Sequence, residues 1–386
     1  MEIKKLTAEH YDELLALLNY TFGNKGGKTV DFLSEQPKMW VRDDAHMGCH
    51  LGAFEGGKLC AVVGVYPLQT VIDGEKFLFA TTGNVATLPE YEGRGYFSAL
   101  FAEAMRELER IGADAGRLGG ARQRYERFGY EGCGSSYLFN FNAKNRTRGF
   151  SVTAGQGIEF SPITPKDAAA LVFCRSLRMR LPIYVERPMD GGGIDIYRSM
   201  CSKNKKPYLA TRDGKPVGYV CCSADGKDIG EFDATDTVTK VEMVCAWQAI
   251  APEETVSFSV PVFDCEALRL FCATAENYRV TYPSRFKFRN FEGITNAMMR
   301  YHARENGLID GEWTLGIEGY GSLCLFVRNG VGGCKKTNAV PELTLDSLAA
   351  SRLLFGPDCP VAVADVPPIP RSWLPLPFSW GALDAI

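Results

Sequence analysis

The segment Asn84-Val-Ala-Thr-Leu-Pro-Glu-Tyr-Glu-Gly-Arg-Gly-Tyr-Phe-Ser-Ala-Leu100 constrains the fold most. It reads as a short apolar strand running into a glycine-bearing turn and straight on into an amphipathic helix. Gly93 and Gly95 let the backbone turn tightly and approach a ligand, and the first amides of the following helix have no intrahelical acceptor, so they point at an anion. Arg94 adds a mobile positive charge. This arrangement suits a pyrophosphate. The helix is legible by its period: Phe97, Leu100, Phe101, Ala104, Met105, Leu108 and Ile111 form one stripe, Arg106, Glu107, Glu109 and Arg110 the other face, and Gly112 is placed to end it.

Strand, Pro-Glu-Tyr, Gly-Arg-Gly and helix together resemble the acetyl-CoA pyrophosphate loop of the GNAT superfamily of N-acetyltransferases, Gln/Arg-x-x-Gly-x-Gly/Ala. In this register Glu92 takes the first position, Gly95 the fourth and Phe97 the sixth. Glu92 and Phe97 depart from the pattern, which leaves cofactor binding to backbone amides and Arg94. The resemblance implies acetyl-CoA as cosubstrate. Its contacts fall on Val85, Ala86 and Thr87 of the strand, Gly93, Arg94, Gly95, Tyr96, Phe97 and Ser98 of the turn and first helical turn, and Gly120 and Ala121 opposite. A second match is Leu118-Gly-Gly-Ala-Arg-Gln-Arg-Tyr125-Glu-Arg-Phe-Gly-Tyr130. It is similar to the short fourth helix and aromatic turn of that superfamily, in which the tyrosine at the place of Tyr125 protonates the departing CoA thiolate.

At 386 residues the chain is more than twice what one such domain needs. Leu6-Thr-Ala-Glu-His parallels Ile163-Thr-Pro-Lys-Asp, and Ala53-Phe-Glu-Gly-Gly-Lys parallels Ala210-Thr-Arg-Asp-Gly-Lys; 163 − 6 and 210 − 53 both give 157. Each copy begins with a threonine-capped helical pattern and continues into a hairpin with a Gly-Lys turn. Residues 150–285 are therefore expected to form a second GNAT-like domain. The same offset carries Gly95 to Pro252, where neither a Gly-x-Gly nor an arginine remains, so this copy is expected to be degenerate.

Beyond Pro283, Phe286-Lys-Phe-Arg-Asn-Phe-Glu292 leads into a polar helix. Trp313–Glu318 and Leu323–Gly330 read as a hairpin, and Leu343–Gly356 as a short helix that Gly356 stops. This order resembles the enhanced intracellular survival acetyltransferases, with GNAT, degenerate GNAT and sterol-carrier-protein-like domains in series. The expected fold class is α/β (α+β): tandem GNAT folds with mixed, mostly antiparallel sheets, then a carrier-like α+β domain. The domains would be residues 1–149, 150–285 and 286–386. In that family the chain's C-terminal carboxylate enters the first domain's active site as general base, which here implies Ile386. The tail Trp373-Leu-Pro-Leu-Pro-Phe-Ser-Trp-Gly-Ala-Leu-Asp-Ala-Ile386 is rich in aromatics, leucine and proline, as a docking segment would be and a frayed terminus would not. It could instead cover an apolar patch on the third domain, and Asp384 competes with Ile386 as the base.

The resemblance implies direct transfer from the thioester to a primary amine. A carboxylate buried in an aromatic funnel would deprotonate the amine. A backbone amide at Val85 or Thr87 would stabilise the oxyanion, and Tyr125 would protonate the thiolate; a tyrosine that merely holds a core hydrogen bond is the alternative. The acceptor is expected to be a small amine such as an aminoglycoside, a polyamine or a lysine side chain. Lys25 and Lys28 beside Asp31 and Glu35 at the expected entrance, Phe22–Gln36, argue against a polycation. A non-catalytic acyl-CoA sensor and a lipid or apolar-ligand carrier are the competing functions, and the family resemblance implies trimers or hexamers.

Other patterns narrow the field. Gly26-Gly-Lys-Thr29 resembles the end of a phosphate-binding loop, but Phe22 stands where the first glycine belongs and a helix precedes it. His10, His46, His50 and His302 show no spacing for zinc, so no metal is expected. Thirteen cysteines without Cys-x-x-Cys fit free thiols in a reducing cytoplasm. The polar start Met1-Glu-Ile-Lys-Lys and the lack of an 18-residue apolar run predict no signal peptide and no membrane span. With 43 basic and 46 acidic residues, net charge −3, there is no basic field for nucleic acid.

Overall fold

The computed structural model describes residues 1–27, 30–151, 153–189, 195–251 and 253–386. Its first sheet runs β1 (Glu2–Lys5), β2 (His50–Glu55), β3 (Lys58–Ile72), β4 (Glu75–Thr87), β5 (Ala115–Leu118), β15 (Arg285–Phe288) and β6 (Glu131–Gly132). Along the far half of β3 lies β9 (Ile183–Val185). The second sheet repeats the order: β8 (Ile158–Pro162), β10 (Lys206–Arg212), β11 (Lys215–Cys222), β12 (Asp228–Ala234), β13 (Val256–Pro261), β7 (Ser136–Phe141) and β14 (Tyr278–Thr281). Neighbours along each of these orders are antiparallel except for one parallel pair, β4–β5 in the first and β12–β13 in the second. These are the tandem mixed sheets the sequence implies.

Sheet membership divides the chain elsewhere than at 149/150 and 285/286. The strand beside β5 is β15, contributed from beyond the second unit, and the strand beside β13 is β7, contributed from before it. The two units thus exchange one strand each at equivalent places. Each exchanged strand brings aromatics into the core of the sheet it joins: Phe139 and Phe141 pack with Phe258 and Phe271, and Phe286 with Phe79.

The 157-residue offset holds through the first hairpin, with Lys58 opening β3 and Lys215 opening β11. It fails afterwards, because β11 and β12 are shorter than β3 and β4. The helix matching Tyr96–Arg110 is Thr237–Ile250, which starts two residues after β12. The counterpart of the glycine turn is therefore Thr235-Asp236 and not the surroundings of Pro252, itself outside the described residues. Asp236 caps that helix, accepting from the Thr239 amide. A carboxylate there repels phosphate, unlike the glycine turn of the first unit.

The third sheet runs β18 (Val331–Thr337), β17 (Gly321–Arg328), β16 (Gly311–Ile317) and β19 (Leu343–Leu345), with the helix Phe291–Asn306 against β18. The expected hairpin is β16–β17. Leu343–Leu345 pairs with β16 as a strand, and the helix begins only at Ser347, where Asp346 accepts from the amides of Leu348 and Ala349. Gly356 ends it in an extended conformation and not a left-handed one. Trp373, Leu374, Leu376, Phe378 and Trp380 are buried in a core shared with Trp313, Leu315, Leu353 and Phe355 of this unit. The tail thus covers the third unit's apolar surface and then runs on.

Candidate active site

The helix Tyr96–Arg110 buries Tyr96, Leu100, Phe101, Ala104 and Leu108, and Gly112 follows it at φ 68°. Phe97 and Met105 of the expected stripe are half-buried. Gly93 and Gly95 have φ of 76° and 84°, and a Cβ on either would meet only open space. Backbone conformation alone, not crowding, calls for glycine there. Among the described residues, the amides of Gly93, Arg94, Gly95, Tyr96, Phe97 and Ser98 have no hydrogen-bond acceptor, the first helical bond being Ala99 N–H to Gly95 at 3.1 Å. Six consecutive free amides at a helix start form an anion cradle. The Arg94 guanidinium lies 5.2 Å over the Tyr91 ring, Tyr91 packs edge-on against Tyr96, and the Tyr96 hydroxyl donates to Glu55. Phe97 does not fill the cradle. It lies against Phe101, Tyr125 and Phe128 at 5.5 to 6.2 Å between ring centroids.

β4 and β5 pair from Phe79↔Ala115 to Thr81↔Arg117 and no further, so one edge of Thr82–Thr87 opens into a cleft. The divergence is built by a bulge at which Val63 of β3 faces both Asn84 and Val85. Asn84 takes φ 51°. Its side-chain amide donates to the Tyr66 hydroxyl at 2.6 Å, Tyr66 donates to His50 Nε2 at 2.8 Å, and His50 Nδ1 donates to the Met47 carbonyl at 3.2 Å. Burial brings the His50 pKa down to about 4, keeping the ring neutral as this chain of bonds requires. Val85 and Thr87 are half-buried along the open edge, whereas the Ala86 side chain is buried behind the strand. Gly120 and Ala121 sit exposed at the end of β5.

Tyr125 ends the short helix Arg122–Tyr125. Its ring is buried against Phe101 at 5.3 Å and over Gly120, where a Cβ would meet Tyr125 Cε2 at 2.8 Å. Among the described residues its hydroxyl has no hydrogen-bond partner, so it is not a core hydrogen-bonding tyrosine of the ordinary kind.

The tail reaches this cleft. Trp380 stacks on Phe79 at 5.4 Å and 12°. Ile386 lies against Gly83, one residue before the bulge: a Cβ on Gly83 would be 3.3 Å from Ile386 Cγ2 and 3.4 Å from a carboxylate oxygen. The Arg117 guanidinium donates to that carboxylate at 3.3 Å and to the Ser284 hydroxyl at 3.1 and 3.0 Å. Burial lowers the Arg117 pKa to about 10. Lys38 is fully buried and donates to the carbonyls of Leu383 and Ala385. Burial, opposed by Asp384, lowers its pKa to about 7.

Asp384 is engaged elsewhere. Arg178 reaches one of its oxygens at 2.8 Å and Arg187 the other at 2.9 and 2.7 Å. Burial alone would raise its pKa, but the two guanidiniums outweigh that and bring it down to about 2. Arg117, Lys38 and Gly83 escaped the sequence reading. Arg117 could have been noticed as a lone cation in the strand Ala-Gly-Arg-Leu; Lys38, between Pro37 and Met39, carries no such signal.

At the expected entrance the helix Tyr11–Gly26 runs through to Gly27 at φ 61°. Gly26-Gly-Lys-Thr29 thus begins at a helix C-terminus, where carbonyls and not amides are free. Lys28 and Thr29, and the side chain of Lys25, lie outside the described residues. Asp31 caps the helix Phe32–Glu35, and Glu35 accepts from Asn204 at 2.6 Å. Among the described residues no three His, Cys, Asp or Glu side chains are grouped to hold a metal, and no helix is long and apolar enough to cross a membrane.

Residues 2–133, which hold the bulged strand, the free-amide turn and Tyr125, match the model of the acetyltransferase (GNAT) domain family. A comparison with curated proteins finds no match. Among solved structures the chain is similar to Eis1 from Mycobacterium abscessus, with 15% identity, a TM-score of 0.66, and 98% of this chain and 97% of that one covered. It is also similar to a probable N-acyltransferase from Enterococcus faecalis V583, at 16% identity and TM-score 0.65 with 92% and 89% covered. A GCN5-related N-acetyltransferase from Kribbella flavida aligns at 18% identity and TM-score 0.59, with 91% and 87% covered. At these identities the likeness is one of fold, and it covers from 91% to 98% of this chain.

Proposed function

We propose that the protein is an acetyl-CoA-dependent N-acetyltransferase that moves an acetyl group directly to a primary amine. The Ile386 carboxylate is the general base and Tyr125 the general acid. The observation that carries this reading is the position of the chain's own terminal carboxylate between Gly83 and Arg117, where β4 and β5 part. The carboxylate that partners the buried Arg117 guanidinium also lies beside the unpaired stretch of β4, which supports its use as a base.

The chemistry follows from the residues. Free amides of 93–98 and Arg94 hold the pyrophosphate of CoA, and the thioester lies along Val85–Thr87, whose amides stabilise the oxyanion. Ile386 takes the proton of the attacking amine. The carbonyl carbon gains the C–N bond and loses the C–S bond, and Tyr125 returns a proton to the sulfur. Asp384 is a poor base because both its oxygens are held by arginines. The acceptor is a small amine; the cations Lys38 and Arg117 beside the base disfavour a polycation.

Thiol release from acetyl-CoA over an amine panel tests the reading, with the chain lengthened by two or three residues after Ile386 as the comparison. Amine-dependent release, lost on extension, is expected. Binding of acetyl-CoA without release would make the protein a sensor, and full activity in the extended chain would remove Ile386 from the mechanism.

A further inference from the structure

The second sheet carries the same parting as the first. β12 and β13 pair only at Asp228↔Ser257 and Ile229↔Phe258, and beyond them Gly230–Asp233 and Ser259–Pro261 diverge. With Asp236 at the head of the helix, this second cleft is unsuited to CoA. The chain's tail lies along it instead: Ser379–Ala382 and Asp384 form one wall of a cavity of about 120 Å³ between the two strands. Leu383 is buried in the second unit's own core with Leu171, Leu177, Tyr219 and Cys221.

At this point the buried Arg178, Arg187 and Asp384 and the mostly buried Glu231 form an alternating quartet. Arg178 bridges Asp384 at 2.8 Å and Glu231 of β12 at 2.7 Å. Arg187 bridges Asp384 at 2.7 Å and Glu231 at 2.7 and 2.9 Å. The Tyr219 hydroxyl donates to Glu231 at 3.0 Å, and the Arg187 carbonyl accepts from Arg175 at 3.1 Å. Two positive and two negative charges cancel, as burial demands. On the other side of the tail, Lys38 of the first unit holds the carbonyls of Leu383 and Ala385, on either side of Asp384.

We infer that the second fold's vacated cleft is a receptor for the chain's own tail, and that Arg178 and Arg187, acting through Asp384, are positioning residues for the terminal carboxylate. The inference rests on the reading of Ile386 as the base. Only Ala385 separates the anchor from the base, and two extended residues span about 7 Å, so a shift of the anchor is passed on nearly undiminished. Misplacing a reacting group by about 1 Å costs on the order of 100-fold in rate. The second unit, without chemistry of its own, thereby sets the geometry of the first.

The test uses the full chain with Arg187→Gln, Asp384→Asn, and the double variant Arg187→Met/Asp384→Leu. The double variant removes one charge of each sign and leaves Arg178 paired with Glu231, so it keeps the fold if a single variant loses it. We expect kcat to fall about 100-fold while KM for acetyl-CoA stays within about twofold, and formate or acetate in the buffer to restore part of kcat by replacing the displaced carboxylate. A folded double variant with unchanged kcat, or a loss of kcat that small carboxylates do not rescue, overturns the inference. The two readings fail separately: if lengthening the chain past Ile386 stops turnover but the double variant keeps it, only the positioning role falls.

Discussion

A carboxylate oxygen of Ile386 lies 3.3 Å from Nη1 of Arg117, joining the last residue of the chain to the middle of β5. The same guanidinium is fixed by the Ser284 hydroxyl, so strand, tail and the residue preceding β15 meet at one side chain. Arg117→Met keeps the length and apolar stem and removes the donor. We expect kcat to fall by about 10- to 100-fold with KM for acetyl-CoA nearly unchanged, because the terminal residue loses its orientation while the phosphate cradle is untouched. Steady-state kinetics with thermal unfolding as the folding control checks it.

Tyr125→Phe preserves the packing against Phe101 and over Gly120 and removes only the hydroxyl. Loss of a positioned acid should cost about 10²- to 10⁴-fold in kcat. Acetyl-CoA affinity by calorimetry should be retained. Full activity would take Tyr125 out of the reaction.

Gly95→Ala forces a side chain into φ 84° without any clash. The strain is about 1–2 kcal/mol, and relieving it rotates amides away from the phosphates. The expected outcome is an approximately tenfold rise in KM for acetyl-CoA with kcat preserved, the reverse of the pattern for Arg117 and Tyr125.

His50 gives the stability a definite pH dependence. Its pKa is about 4 in the folded chain and 6.5 when free, so between these values the unfolded chain binds the proton that the folded one excludes. Stability should therefore be fully present above pH 6.5 and decline as the pH falls toward 4, by at most about 3 kcal/mol. Thermal midpoints of the parent and of His50→Gln, compared from pH 7 to 4, check the sign: the difference should narrow on acidification.

Lys38 acts in another window. Burial lowers its pKa from 10.5 to about 7, so from pH 7 to 10.5 the unfolded chain again holds the extra proton. The parent should gain stability relative to Lys38→Met as the pH rises through this range, when an ammonium no longer has to be buried. A constant difference between the two chains would contradict the assignment.

Local signals carried far in this chain. The apolar stripe after Gly95 and the glycine turn itself are properties of contiguous residues, and helix and cradle fall where the period and the turn chemistry place them. The duplicated hairpin was visible as well, down to Lys58 and Lys215 opening equivalent strands. What local patterns could not reveal was partnership across distance. Phe139 and Phe286 alternate like any half-buried strand residues, and nothing in their neighbours records that each belongs to the other unit's sheet. The buried cations were missed for a related reason. Arg178, Arg187 and Lys38 look like solvated side chains until the tail, some two hundred or more residues onward, arrives with Asp384 and two backbone carbonyls. Extrapolating the 157-residue offset misplaced the second unit's turn because strand lengths changed between the copies as well as the turn residues themselves.

The traded strands β7 and β15 have a consequence for the history of the chain. Cutting the chain between the two folds would strip each sheet of an inner member and expose the seam beside β5 and beside β13 to solvent. Neither half could be discarded, duplicated again or shuffled into another protein without first undoing that trade. The two units are thus held together by that exchange, whatever selection acts on the surface of either.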